Sequence, residues 1–558
     1  MIFIKRLLLK NTIILCMCAL LIFSPISAFA SSVSSTIAET EKTDDVGKAE
    51  IFEASLSEIR DMLESGQLTS QKLCEVYIER INTFDKKGDK LNSVISINKN
   101  ALAQAKQLDS ERKAGVVRGL LHGIPILVKD NIDVSGFPTT LGKTTLSEDI
   151  KDTDASAVAY LVGQGAIILG KTNLSTDDAS TRYTVSALLG ETRNAYNTKY
   201  ASGGSSGGSA VAVSANFAAA ALSTDTNSSA KYPAALNGVV AFRPTHGLID
   251  YSGCENVVKA RDTVTPITKT VEDAALMLDI MTDNAQTTPY LKSLSKTALK
   301  GKKIAVLKEL SQYTYNSPNE WKKSDDEIEA LFKSALEDLK AQGAEIVEIS
   351  IPKLFTYYYT CRESMSGSAN AKAKLLSDVK SQLSQKGADA IIYPSYLSTP
   401  LKSGFDEYGS HVSEGSLFLN SGAYLPSLIG LPAAVVPMGY LESGVGAAIE
   451  FVSLPKTDKE LLSLAYSYEC ATNKRVAPKT APNLYEPIEF IPEQDNGDGD
   501  SAVSDVTVAP AVPKEPGFDW QKLAVAMIVV AALGLCVWIL VFGYKSDKRK
   551  STHRNRNF

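Results

Sequence analysis

The residues of this 558-residue chain best placed for nucleophilic chemistry concentrate in one stretch, 201–233, ASGGSSGGSAVAVSANFAAAALSTDTNSSAKYP. A Gly/Ser tract standing alone reads as a flexible linker. Here it runs straight into Ala210-Val211-Ala212-Val213, which suits a helix, and then into residues 218–222, which suit a buried strand. A phosphate loop is excluded, because no Gly-Lys-Ser/Thr closes the glycine run. The glycines instead permit a tight turn and close backbone approach, with Ser205 and Ser206 at its tip.

A serine nucleophile needs a base and donors for an oxyanion. The chain has four histidines: His553 in a basic tail, His411 in a Gly/Ser-rich loop, and His122 and His246 beside turn glycines. No Gly-x-Ser-x-Gly elbow supports a Ser-His-Asp triad. A lysine can replace histidine if it is neutral. Lys129 closes the apolar run 124–128 and is expected at the end of a buried strand, where desolvation disfavours its charged form. Only burial or nearby positive charge would serve that end.

With these residues in view, the chain resembles the amidase signature family. The likeness runs through 56–59 (LSEI), 121–131 (LHGIPILVKDN), 165–173 (GAIILGKTN), 203–209 (GGSSGGS), 225–229 (DTNSS), 238–245 (GVVAFRPT) and 431–439 (LPAAVVPMG). The resemblance implies an α/β fold, a mixed central sheet flanked by helices in a single large domain. It also implies a Ser-Ser-Lys triad of Lys129 as base, Ser205 as proton relay and Ser229 as nucleophile. In similar enzymes the relay serine follows a cis peptide bond. The backbone N–H groups of Thr226, Asn227 and Ser228 would form the oxyanion hole, with Ser206, Asp225 and Lys231 in support. The implied reaction hydrolyses a small or peptide-like amide through an acyl-serine. It calls for no cofactor and no metal.

Two departures stand out. Where the family commonly has Asp-Thr-Gly-Gly-Ser-Ile-Arg, residues 225–231 read DTNSSAK, so Asn227, Ser228 and Lys231 replace two glycines and an arginine. The helical region between Lys353 and Asp389 is abbreviated, with Tyr357, Tyr358 and Tyr359 beside Cys361. These changes keep open an alternative, a catalytically inactive amidase-like binding protein at the cell surface.

The elements that must position the site follow from periodicity. Helices are expected over 51–68 and 70–81, the second carrying Leu73, Val76, Tyr77 and Ile81 on one face. Residues 155–162 and 166–169 form a helix-then-strand unit. A later helix opens on a Ser324/Glu327 capping box, stops at Gly343, and precedes a strand over 346–349. Alternating helix and strand predicts an α/β core over 51–482.

The ends read differently. Residues 1–30, with Lys5, Arg6, Lys10 and an apolar run over 13–23, read as a secretory signal peptide, followed by a loose segment at 31–50. Residues 483–520 read as an acidic disordered spacer. The uncharged stretch 523–543 would span about 31 Å as a helix, and the basic tail 544–558 would lie in the cytoplasm. The expected location is thus a single-pass cell-membrane protein with an extracellular catalytic domain. With +3 in residues 1–30 and +5 in 544–558, the formal charge of −5 leaves −13 for the stretch between. An acidic exported domain is a poor nucleic-acid partner, which argues against the tRNA-dependent branch of the family. Cys16 and Cys18 lie in the signal and Cys536 in the span; Cys74, Cys254, Cys361 and Cys470 show no metal spacing. These four are expected mostly as buried free thiols, with one bridge left open.

Overall fold

In a computed structural model, which describes residues 50–178, 180–311, 313–317, 320–323, 326–363, 369–398, 400–404 and 424–485, eleven strands join one mixed sheet. The N-terminal half contributes β1 (Val94–Ile97), β2 (Pro125–Lys129) and β3 (Ile167–Thr172). A small hairpin of β4 (Thr184–Ser186) and β5 (Gly190–Thr192) stands apart, before β6 (Ala220–Asp225), β7 (Val240–Arg243) and β8 (Thr263–Thr268). After β9 (Lys303–Leu307) and a second hairpin of β10 (Tyr313–Ser317) and β11 (Glu320–Lys323), the sheet resumes. It is completed by β12 (Glu345–Ile349), β13 (Ala390–Pro394), β14 (Ala433–Tyr440) and β15 (Gly446–Val452). The spatial order is β1-β3-β2-β6-β8-β7-β14-β15-β13-β9-β12. β2 runs parallel to both β3 and β6, while β6 is antiparallel to β8. This is the expected α/β fold, a mixed central sheet with flanking helices.

β2, β3 and β6 are buried along their whole length. Such continuous apolar runs are what parallel strands covered on both faces require. The helix that follows the Gly/Ser loop, Gly207–Ser214, is buried at every position and packs against β2, β3 and β6. Its small residues allow that approach: a Cβ on Gly208 would lie 2.3 Å from Asn173 O, and one on Gly204 would lie 2.1 Å from Tyr183 O. Each fully buried Val or Leu in this layer, such as Val211 and Leu222, contributes about 1.5–3 kcal/mol.

Element boundaries differ from the sequence expectation where local chemistry intervenes. The first helix is Leu56–Ser65 rather than 51–68, because Ser55 and Glu58 form a reciprocal capping box and Gly66, at φ 77°, ends it. The second, Ser70–Arg80, continues into a π-helical turn, Ile81–Asp85. The strand expected at 218–222 is β6, shifted by the turn through Asn216 at φ 59°. The late helix spans Asp326–Ala341, and Gly343 at φ 87° carries the chain into β12. The Ser324 half of its capping box lies outside the described residues, as does His411. Cys74, Cys254 and Cys361 are buried, Cys470 is exposed, and all four are free thiols.

The stretches expected to be the signal peptide, most of the spacer, the span and the basic tail also lie outside the described residues. Among those described, no helix is long and apolar enough to cross a membrane.

Arg80 ties the second helix to the rest. Its buried guanidinium donates to Ala215 O, Asn216 O, Ala481 O and Pro482 O at 2.8–3.0 Å, holding the end of the Gly207–Ser214 helix to residues 481–482. Arg80→Met leaves four carbonyls without that donor and is expected to lower the unfolding free energy by about 3–5 kcal/mol, measured by urea denaturation. A loss under about 1 kcal/mol would show that the clasp is dispensable.

Candidate active site

Lys129 is the last residue of β2 and is fully buried. Beside it, β6 ends on Thr224 and Asp225, and the loop 202–206 contacts the ends of both strands, with the Gly204–Ser205 peptide bond in the cis form. Lys129 Nζ donates to Ser205 Oγ at 2.7 Å and to Thr224 Oγ1 at 2.9 Å. The structure therefore brings together Lys129 and Ser205, 76 residues apart in sequence. Ser206 locks the loop to its neighbours: its N–H donates to Ser229 O at 2.9 Å and its hydroxyl to Thr224 O at 3.1 Å. Ser229 is thus bound to the same loop through its main chain. Its hydroxyl has no hydrogen-bond partner among the described residues, Ser205 included.

The surroundings of Lys129 correct one expectation. Its apolar run predicts a lysine whose charged form is disfavoured by burial or by nearby positive charge. Instead Asp178 Oδ1 stands 2.5 Å from Nζ in a buried ion pair, and the same oxygen accepts from Ser205 Oγ at 2.6 Å. Asn131 Nδ2 bridges Asp178 Oδ2 at 2.7 Å and Thr224 Oγ1 at 2.9 Å. Asp178, Thr224 and Asn131 are thus site residues that sequence reasoning misses. The available signal for Asp178 is the acidic pair Asp177-Asp178 closing the segment after GKTN, at φ 54° and 55°, a conformation Asp tolerates better than most residues.

The two histidines among the described residues, His122 and His246, are engaged elsewhere. His122 Nδ1 accepts from Arg118 N–H at 3.0 Å and its Nε2 bonds Leu108 O at 3.0 Å, while His246 Nε2 bonds Lys259 O at 3.0 Å.

The turn 225–231 rests on a second buried charge centre. Asp225 Oδ2 meets Lys231 Nζ at 2.5 Å, Arg243 NH1 at 2.8 Å and Ser427 Oγ at 2.9 Å, and its Oδ1 accepts from Ala230 N–H at 3.0 Å. Burial alone would raise the Asp225 carboxyl, but the Lys231 ammonium and Arg243 guanidinium overcome it and hold it well below the usual carboxylate range. Lys231 is itself pushed down by burial, against the pull of Asp225. Thr226 Oγ1 donates to Asp262 Oδ1 at 2.7 Å, and Asn227 Oδ1 accepts from Arg261 NH1 at 2.8 Å. Neither Asn227 nor Ser228 has a positive φ, so the turn does not need glycine at either position. Among the described residues, no group of His, Cys, Asp or Glu is arranged to hold a metal ion.

Glu450 of β15 is buried close to this centre and hydrogen-bonded by Tyr393 OH at 3.3 Å. Burial pushes its carboxyl up to about 8, with Lys231 opposing the rise. A raised folded value means that the stabilisation is complete below the ordinary value of about 4.3 and is lost as pH climbs to about 8. Glu450→Gln is expected to remove that loss, so that between about pH 5 and 8 wild type falls relative to the variant by on the order of a few kcal/mol. Urea unfolding at several pH values measures it, and parallel curves would refute the assignment.

Comparison with known proteins places this geometry in a family. The family model described as Amidase matches residues 72–374. A mandelamide hydrolase of Pseudomonas putida is 28% identical over 503 residues, covering 77% of this chain and 93% of that protein. A glutamyl-tRNA(Gln) amidotransferase subunit of Alkaliphilus metalliredigens is 33% identical over 393 residues, covering 67% of this chain and 75% of that protein. Among solved structures, the native peptide amidase of Stenotrophomonas maltophilia superposes with a TM-score of 0.65 at 26% identity, covering 77% of this chain and 99% of that one. The chain belongs to the amidase family.

Proposed function

We propose that this hydrolase of amide C–N bonds works through an acyl-serine on Ser229, with Ser205 relaying the proton to the buried centre around Lys129. The observation that carries the reading is the Lys129–Ser205 hydrogen bond of 2.7 Å, on a loop whose next residue holds Ser229 by its carbonyl. The Ser229 hydroxyl, without a partner among the described residues, is available to a substrate carbonyl and to Ser205 alike, and catalytic hydrogen bonds of this kind tighten when substrate binds. Backbone N–H groups of Thr226, Asn227 and Ser228 then receive the oxyanion, and side-chain replacement does not delete such donors. Ser206, Asp225 and Lys231 support that turn.

The substrate we infer is a small or peptide-like carboxamide. What supports it is the likeness to a mandelamide hydrolase and to a peptide amidase. The signal-like residues 1–30 and the uncharged stretch 523–543 support an exported domain tethered to the cell membrane by one C-terminal helix.

A fluorophosphonate probe tests the nucleophile. Intact-mass analysis is expected to show one label, absent in Ser229→Ala and slowed at least about 100-fold in Ser205→Ala and Lys129→Ala. A folded wild-type domain that takes no label would sink the acyl-serine reading and leave a binding cleft.

A further inference from the structure

Every residue from 221 to 240 is buried except Asn227, which stands two positions before Ser229 and is partly exposed. Its side-chain amide is thus the polar group that the turn presents outward. The orientation of that amide is fixed. Arg261 NH1 donates to Oδ1 at 2.8 Å, and because a guanidinium has donors only, the atom it meets must be the amide oxygen. The two N–H bonds of Nδ2 lie on the other arm, and among the described residues they meet no acceptor. Arg261 is itself braced: its NH2 donates to Cys361 O at 3.0 Å in the helix Leu354–Glu363, and its carbonyl accepts from Arg243 NH2 at 2.6 Å. The next residue, Asp262, holds the Thr226 hydroxyl at 2.7 Å. The amide therefore has a rigid support on its oxygen side.

The main chain of the turn leaves its donors open as well. Asn227 O is taken by Ser427 Oγ and by Lys231 Nζ at 3.4 Å, both belonging to the buried charge centre. The peptide that follows is trans, so the N–H of Ser228 is directed away from that centre. Among the described residues, the N–H groups of Asn227, Ser228 and Ser229 meet no acceptor. Side-chain rivals are closed off: Thr226 Oγ1 is spent on Asp262, and Ser228 Oγ is shut away from solvent. A glycine at position 227 would offer the backbone alone.

We propose that Asn227 is a catalytic donor whose Nδ2–H joins the backbone N–H groups on the substrate oxygen as the carbonyl π pair moves onto it, and that Arg261 is the positioning residue that fixes the amide for this task. The inference rests on Ser229 being the nucleophile. A preorganised donor aimed at developing charge acts on the chemical step, and removing one such side chain costs about 100-fold or more in rate. The substitution of glycine by asparagine in this turn then adds a donor, and Arg261 supplies the contact that keeps the amide from turning its oxygen toward the substrate.

The second-order rate of fluorophosphonate labelling reads this donor without a known substrate, because the P=O oxygen takes the place of the carbonyl oxygen. Absence of Ser229 labelling in wild type would defeat the proposed function itself. Given wild-type labelling, Asn227→Ala and Asn227→Gly are expected to label about 100-fold more slowly. A matched probe with P=S in place of P=O separates donation from mere support of the turn, since sulfur is a weak acceptor. Donation by Nδ2–H makes the oxygen-over-sulfur rate ratio fall at least about 10-fold in both variants. Slower labelling with an unchanged ratio would overturn the proposal, and so would labelling at the wild-type rate. Arg261→Met is expected to slow wild type to a similar degree, yet to change the rate by less than about 2-fold once Asn227 is alanine. Effects that simply multiply would overturn the part given to Arg261. Should Asn227→Ala or Arg261→Met fail a thermal-unfolding check, Asn227→Gly decides alone, since it restores the residue that the family commonly carries there.

Discussion

A lysine nitrogen removed from water must find hydrogen-bond partners, or its burial costs several kcal/mol. That demand organises the centre of this protein. Lys129 reaches the end of β2 fully buried, and its three partners come from three other pieces of chain: the turn at Asp178, the loop at Ser205 and strand β6 at Thr224. Asn131 adds a second tie between the turn and β6, so the four segments share one network. The Gly/Ser loop is held from above by the same logic of close contact, since Gly204 leaves no room for a Cβ against Tyr183 O.

A second charge centre begins one residue further along. Thr224 and Asp225 are consecutive in β6, and successive strand residues face opposite sides of a sheet. Thr224 accordingly serves Lys129, while Asp225 serves Lys231 and Arg243. The strand end thus distributes its two side chains between the centre around Lys129 and the turn that carries Ser229. Such buried ion pairs add little net stability, because desolvation offsets most of the attraction. Their contribution is orientation: with Ser427 Oγ and Ala230 N–H also on Asp225, the carboxylate has its main acceptor sites filled and the turn has one arrangement.

Much of this is legible in the sequence. The alternation of helix and strand predicts the α/β core, the apolar run 124–128 predicts β2, and the family resemblance points to the contact of the serine loop with Lys129. Ends of elements are less legible, since a cap such as Ser55/Glu58 or a turn residue such as Asn216 overrides a hydrophobic period. The partners of Lys129 are not legible at all. Burial of a lysine can be read from its apolar neighbours, but the sign of the charge it meets depends on a turn closing onto the strand end from far along the chain. Both Asp177 and Asp178 are left-handed, and Asp178 is turned inward to the side chain of Asn131.

The departures from the family pattern in residues 225–231 look different once these contacts are known. Loss of two glycines would matter if the turn needed positive φ, and it does not at Asn227 or Ser228. Loss of the arginine fork at Lys231 would matter if nothing else could engage the Asp225 carboxylate with a planar donor group, yet Arg243 contributes one from β7. Arg243 also donates to Asp225 O at 2.5 Å and Arg261 O at 2.6 Å, so it couples the strand end to the segment that holds Asn227. The side-chain oxygen of Asn227 is committed to Arg261, which fixes that side chain on the turn. A substituted turn can therefore keep its geometry as long as the charges beneath it stay paired, and the constraint on this sequence has moved from glycine at the surface to arginine in the core.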